Sequence, residues 1–228
     1  TVSKNIKETA IKESNTNKPH NNVKYNRAED FENTIFPSNE AIRFAGMIIG
    51  IIIFLLLYIR NMREFRTSLP INNAFIKEWL VKHKLKRKIS IRYSDRISTP
   101  LSYGIFRPVI LLPKNLDLSD TGLLSYILTH EYVHIKRFDI ITKMFLIVTL
   151  CVHWFNPAVW VMFMLFNRDI ELSCDEAVVR IFGEKNKEAY AYALIDMEAK
   201  KGKLMPLCSN FSNNAVKERI ISVMKIKK

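Results

Sequence analysis

ILTHEYVHIKRFDIITKMF (Ile127–Phe145) holds the pentad His130-Glu131-Tyr132-Val133-His134 and then runs straight into an apolar tract. Residues four apart share a helical face, so His130 and His134 present two imidazoles to one point. Glu131 projects beside that point. A zinc hydrolase needs this set: two nitrogen ligands and a carboxylate placed to take a proton from water. With five His and fourteen Glu in 228 residues, chance supplies such a pentad roughly 0.007 times per chain. Two unrelated helix histidines are the weaker reading.

Catalytic zinc takes three protein ligands and keeps one position for water. The third should be a His or a carboxylate on a later helix, and Glu171-Leu172-Ser173-Cys174-Asp175-Glu176 supplies one. Glu171 and Asp175 are again four apart, so Asp175 is placed to accept the second N–H of a ligating imidazole, fixing its tautomer. His153 is the rival ligand, but it lies beside Trp154 in the apolar tract and suits a hydrogen-bonded membrane or interfacial role. Cys151, Cys174 and Cys208 have no paired spacing and read as reduced core or membrane residues. The six glycines form neither GxGxxG nor a phosphate-binding loop, which argues against nucleotide binding.

The chain is greasy in two places. Phe44–Ile59 (FAGMIIGIIIFLLLYI) carries no charge, and at about 1.5 Å per residue it nearly spans a hydrocarbon core of about 30 Å. Ile140–Phe166 is the second tract, polar only at Thr142, Lys143, Thr149, His153 and Asn156. Its Asn156-Pro157 step should interrupt a helix, so a hairpin dipping into the membrane or a bent span is expected. Ten Lys/Arg (Arg60, Arg63, Arg66, Lys77, Lys82, Lys84, Lys86, Arg87, Lys88, Arg92) follow the first tract against two acids, Glu64 and Glu78. That bias places everything after Arg60 on the cytoplasmic side and rests a basic collar on anionic headgroups, accounting for much of the net charge of +13. A nucleic-acid partner is disfavoured, because no base-reading module accompanies the charge.

The remaining pattern is mainly α with a small β-sheet. Residues 1–40 are polar and aperiodic and are expected to form a flexible extracytoplasmic loop; residues 41–60 are the expected transmembrane helix, and 61–228 a cytoplasmic-side domain that includes the membrane-associated segment 140–166. Helices are expected over Asn73–Lys86, Leu118–Phe138 (capped by Ser119 or Asp120), Asn167–Phe182, Lys187–Lys200 and Val216–Met224. Lys88–Tyr93 and the RPVILLP run before Lys114 read as strands. The abrupt polar start without Met suggests a piece of a longer chain.

HEYVHIKRFD, then WFNPAVW, then RDIELSCDEAV, all preceded by GIFRPVILLP, together resemble the BlaR/MecR-type antirepressor membrane metallopeptidases. The likeness covers roughly Ser98–Met224. It implies a gluzincin-like zinc domain, cytoplasmic but partly embedded in a multi-pass cell-membrane protein, with His130, His134 and Glu171 binding Zn2+, Glu131 as catalytic base and Asp175 behind a ligand. It also implies a protein or peptide substrate: a cytoplasmic transcriptional repressor, or the protein itself, cut after an external signal such as a β-lactam. It fixes no oligomeric state. Relatives that sense β-lactams carry a Ser-x-x-Lys nucleophile; Ser222-Val223-Met224-Lys225 matches that spacing but lies in an amphipathic helix without SDN or KTG partners.

In such a site Glu131 would shuttle the proton from water to the leaving amine. An oxyanion donor is needed too, and Tyr190, Tyr192 and Arg219 are candidates by residue type. Val109–Leu112 is a candidate strand for pairing with an extended substrate. Two other readings remain: a membrane metalloprotease of the prenyl-protein or quality-control type, and a metal-dependent transducer that cuts nothing. Arg137, Asp139 and Lys143 would mark the bilayer interface.

Overall fold

The computed structural model describes residues 39–199 and 206–226, so the loop expected over residues 1–40 falls almost wholly outside them. Helix α1 (Asn39–Arg66) begins two residues earlier and ends six later than the expected span, since Arg60–Arg66 continue the helix beyond its apolar part. Among the described residues it is the one helix long and apolar enough to cross a membrane. Its apolar side chains lie largely exposed, Leu56 at 62%.

The chain then builds a four-stranded sheet in the order β1-β2-β4-β3. β1 (Leu69–Pro70) pairs antiparallel with β2 (Ser90–Ser94), β2 runs parallel to β4 (Val109–Pro113), and β3 (Leu101–Tyr103) pairs antiparallel with β4. β2 and β4 are the two strands anticipated from alternation and apolar content. β1 and β3 carry no such pattern, being two and three residues long. Ile110, Leu111 and Leu112 of β4 are fully buried, as a central strand covered on both faces requires. β4 therefore has no free edge for a substrate, which corrects the expected role of Val109–Leu112; the edge next to it is β3. Helix α2 (Ala74–Lys82), capped by the Asn73 side chain accepting from Ile76 N at 3.2 Å, buries Ile76 and Trp79 against the sheet.

Helix α3 (Thr121–Arg137) carries the pentad and starts where Asp120 accepts from Leu123 N at 2.9 Å. It is covered from two sides. Leu124, Ile127, Leu128 and Ile135 pack on Ile91, Ile110 and Leu112 of the sheet. Val133 joins a second core with Cys174, Val178, Val179, Tyr190, Leu194 and Val223. Helices α4 (Asp139–Val152) and α5 (Pro157–Phe182) form the apolar hairpin, broken where Asn156 accepts from Ala158 N at 3.0 Å and Pro157 opens the next helix. No separate helix starts at Asn167: α5 is continuous from Pro157 to Phe182, and Asn167 donates to Phe163 O at 2.8 Å within it. Gly183 ends it, as expected. Helices α6 (Lys187–Ala199) and α7 (Pro206–Lys225) complete the second core, α7 starting well before the expected Val216. Ser222-Val223-Met224-Lys225 is helical, with Val223 fully buried.

Between α3 and α4 the chain makes one costly turn. Phe138 sits in the left-handed region (φ 60, ψ 35) and is the one non-glycine there among the described residues, a conformation that costs roughly 1 kcal/mol. Arg87 holds it. The guanidinium lies 3.8 Å from the Phe138 ring centroid and donates to Ile135 O at 2.6 Å and Ile105 O at 2.5 Å. Charged hydrogen bonds and ring stacking of this kind are the province of Arg rather than Lys. Arg87→Ala is expected to destabilise the fold by about 2 kcal/mol, with Arg87→Lys recovering only part; chemical denaturation in detergent followed by circular dichroism measures both.

Candidate metal centre

Helix α3 turns His130 and His134 toward one another, and their Nε2 atoms stand 3.1 Å apart. Two unprotonated nitrogens that close repel unless a cation or proton lies between them. Behind each ring the Nδ1 position is already committed. His130 Nδ1 faces Tyr190 OH at 2.9 Å and Asp175 Oδ1 at 3.3 Å, while His134 Nδ1 faces Asp139 Oδ2 at 2.7 Å. With Nδ1–H donating backwards, both Nε2 lone pairs aim forward, which is how ligating imidazoles are held.

Glu171 closes the triangle. Helix α5 crosses α3 so that Glu171 Oε2 lies 3.5 Å from His130 Nε2 and Oε1 lies 3.7 Å from His134 Nε2. Tetrahedral donors about 2.0–2.1 Å from a zinc ion stand about 3.4 Å apart, so these separations fit that ion. Cys174 offers a different grouping: one donor atom each from His130, His134 and Cys174 lies within 4.8 Å of the others, and the three could hold a metal ion. The thiol, however, lies 3.6 Å from His130 Nδ1 and donates to His130 O at 3.4 Å. It sits behind the ring, on the side that Tyr190 and Asp175 occupy, whereas Glu171 lies on the side where the lone pairs converge.

The electrostatics describe a site built around positive charge. Burial pushes His134 down, but hydrogen bonds with Asp139, Cys174 and Glu171 outweigh it and lift the ring to about 11. His130 moves the same way, its burial overcome by Tyr190, Asp175, Cys174 and Glu171. Burial would raise Glu171, yet the two imidazoles hold it far below the carboxylate range. Lys143 Nζ from α4 lies 3.3 Å from Glu171 Oε1, and Arg219 Nη1 lies 3.7 Å from Oε2.

The sequence candidates are placed as follows. His130, His134, Glu131, Glu171 and Arg219 line one cavity of about 460 Å³, together with Asp139, Lys143 and the edge-strand run from Thr99 to Gly104. Glu131 is buried, and none of the described residues engages it by hydrogen bond or ion pair. Asp175 and Tyr190 join the cluster from behind His130, outside the cavity lining, with Tyr190 OH donating to Asp175 Oδ1 at 2.7 Å. Tyr192 is 72% exposed. His153 caps the far end of α4, away from the cluster. Two contributors had no sequence signal of their own: Cys174, and Asp139 as the acceptor behind His134. Asp139 is buried, not a surface marker of the interface, while Arg137 reaches Ser173 Oγ at 2.9 Å and Asp139 Oδ1 at 3.4 Å.

Arg219 grips Asp175 through two bonds of 2.7 Å, Nε to Oδ2 and Nη2 to Oδ1. Burial raises the Asp175 carboxyl, but Arg219 and His130 bring it down to about 2. A depressed folded-state value stabilises the fold above the ordinary carboxylate range, near 3.8, and that contribution disappears as pH falls through about 2. Arg219→Met strands the buried charge at a cost of about 3–5 kcal/mol and should shift acid unfolding to higher pH; circular dichroism across an acid titration tests it.

Residues 1–223 match the family described as BlaR1 peptidase M56. The chain is 30% identical over 218 residues to "Regulatory protein BlaR1" of Bacillus licheniformis, a match covering 87% of this chain and 36% of that protein. It is 29% identical over 111 residues to "Methicillin resistance mecR1 protein" of Staphylococcus aureus, covering 48% of this chain and 19% of that protein. The chain thus spans about a third of the length of the first of these curated relatives.

Proposed function

The chain belongs to the M56 peptidases of the BlaR1 type, and on that premise we propose that it is a membrane-embedded zinc endopeptidase of a regulatory system, cutting a cytoplasmic repressor or itself after an external signal such as a β-lactam. The carrying observation is the pair of Nε2 atoms 3.1 Å apart with both Nδ1 positions committed. His130, His134 and Glu171 would hold the ion; Asp175 and Tyr190 orient the first ring, and Asp139 the second. A zinc ion there would acidify water and polarise a carbonyl.

Glu131 faces the same cavity with an uncommitted carboxylate. It takes the proton from the attacking water and returns it to the leaving amine nitrogen. Arg219 spends Nε and Nη2 on Asp175, while Nη1, 3.7 Å from Glu171 Oε2 and beyond hydrogen-bond reach of it, is the donor for the developing oxyanion. Tyr190, fully engaged behind His130, acts by position. β3 supplies the substrate seat: it is bonded to β4 on one edge and lines the cavity from Thr99 to Gly104, so an extended peptide can add as a further strand.

Residues 41–60 act as a transmembrane helix, and 61–228 as a cytoplasmic-side domain that rests on the bilayer through its basic collar. The hairpin dips into the same bilayer. Phe145 is 70% exposed and Trp160 50%, which suits lipid better than water. Helix α4 has 14 residues, or about 21 Å, too short to span the core alone. A Cβ added at Gly50 of α1 would lie 3.6 Å from Cys151 Sγ. Gly50 is about 14 Å along the helix from Ile59, and Cys151 about 18 Å from Asp139. Both counts support a hairpin tip near the bilayer middle.

The test is ligand by ligand in purified full chain. Glu131→Gln should keep one zinc per chain while peptide cleavage falls about 10³-fold; cleavage that survives means that hydrolysis does not run through this site, and a wild-type chain that cuts nothing favours the transducer. Glu171→Gln should lose zinc, whereas Cys174→Ala should retain it. The opposite metal contents would make Cys174 the third ligand.

A further inference from the structure

The turn joining β3 to β4 carries the most exposed large apolar side chain recorded among the described residues. Phe106 is 85% exposed, between half-buried Ile105 and exposed Arg107. The turn is tight and fixed. Gly104 has φ +87, and a Cβ there would stand 2.8 Å from Arg107 O, so only glycine fits. Arg87 bonds Ile105 O from below. A rigid turn that holds a phenylalanine out in water serves no core.

Its neighbours say what covers it. On one side Tyr103 packs its ring 5.2 Å from that of Phe65, near the end of α1. On the other, the Arg87 that holds Ile105 also lies on the ring of Phe138, one residue before the apolar helix α4. The turn is thus bracketed by the ends of both apolar elements. Phe65 lies six residues past Ile59, about 9 Å along the helix, which reaches the outer edge of the headgroup layer of about 5–8 Å flanking the hydrocarbon core. The exposed Arg63 and Arg66 flank Phe65 in α1, and the exposed Arg107 follows Phe106 in the turn.

We infer that the β3–β4 turn is a third membrane contact, inserting Phe106 at the headgroup boundary of an anionic bilayer with Arg107 against lipid phosphates. An aromatic ring at that depth with a neighbouring cation is a common interfacial anchor. The contact is distinct from the two apolar tracts, and it pins the strand that seats the substrate, so the cleft opens along the bilayer surface. The inference rests on the membrane reading of α1.

An environment-sensitive fluorescent amino acid, introduced by codon suppression in place of Phe106, Leu56 or Glu184, reads depth in the full chain. The chain is reconstituted in vesicles of phosphatidylcholine and phosphatidylglycerol with and without acyl-brominated lipid. Leu56 lies in the apolar part of α1, about 5 Å inside Ile59, and Glu184 lies past the end of α5, about 40 Å from its apolar start. Strong quenching at Leu56, intermediate quenching at Phe106 and none at Glu184 is the expected result. Quenching at Leu56 with Phe106 behaving like Glu184 overturns the inference and leaves the transmembrane helix intact. Phe106 shielded from aqueous iodide yet untouched by brominated lipid assigns the turn to a protein contact and overturns it too. No quenching at Leu56 removes the membrane reading and the inference together.

Discussion

Two imidazoles held with their Nε2 atoms 3.1 Å apart are the constraint to which the rest of the domain answers. Nothing in a helix requires that approach. It persists because each ring is gripped from behind by an acceptor, and because Glu171 brings negative charge to the open side. Burial lowers both rings, and the acceptors gathered around them more than reverse it, raising both above the ordinary histidine range. A group of donors arranged in this way could hold a metal ion.

The grip on His134 depends on the backbone strain at Phe138. Asp139 is five residues beyond His134, one too many to face it on a continuous helix. The left-handed residue stops α3, starts α4 in a new direction and swings the Asp139 carboxylate back to within 2.7 Å of the ring. Arg87 offsets the cost by bonding the carbonyl of Ile135 and stacking on Phe138. The turn thereby does two things: it places the acceptor behind His134 and launches the apolar hairpin from the rim of the site. The same hairpin returns Lys143 to Glu171, so both apolar helices carry charged residues of the centre.

How much of this the sequence disclosed follows from the range of the interactions. His130, His134 and Glu131 are legible because helical periodicity alone brings them together. Glu171 and Asp175 carry the same spacing, though only packing of α5 on α3 decides which of them turns forward. Asp139 is hidden because its role depends on a dihedral sign that Arg-Phe-Asp does not announce. Cys174 has no spacing signal, and its nearness to His130 comes from helix crossing. The sheet divides likewise: β2 and β4 advertise themselves by apolar pattern, whereas β1 and β3 exist because those two strands offer free edges. The free edge beside the cavity therefore fell on β3, three residues of mixed polarity, and not on the more conspicuous β4.

Helix α1 is joined to that edge without slack. Two residues separate α1 from β1, and both are tied back: Thr67 Oγ1 donates to Glu64 O at 2.7 Å, and Ser68 N to Phe65 O at 3.2 Å. β1 pairs at once with β2, whose neighbour β4 carries β3, and the Phe65–Tyr103 contact spans the same distance directly. A flexible linker would absorb displacement of the helix; a bonded turn and a ring contact transmit it. On the proposed function, movement of α1 within a bilayer would shift β3, the proposed peptide seat, relative to the helix that holds the histidines, and about an ångström of misplacement is enough to cost a hundredfold in rate. In that reading regulation acts on alignment of the substrate, with His130, His134, Glu171 and the groups behind them left undisturbed.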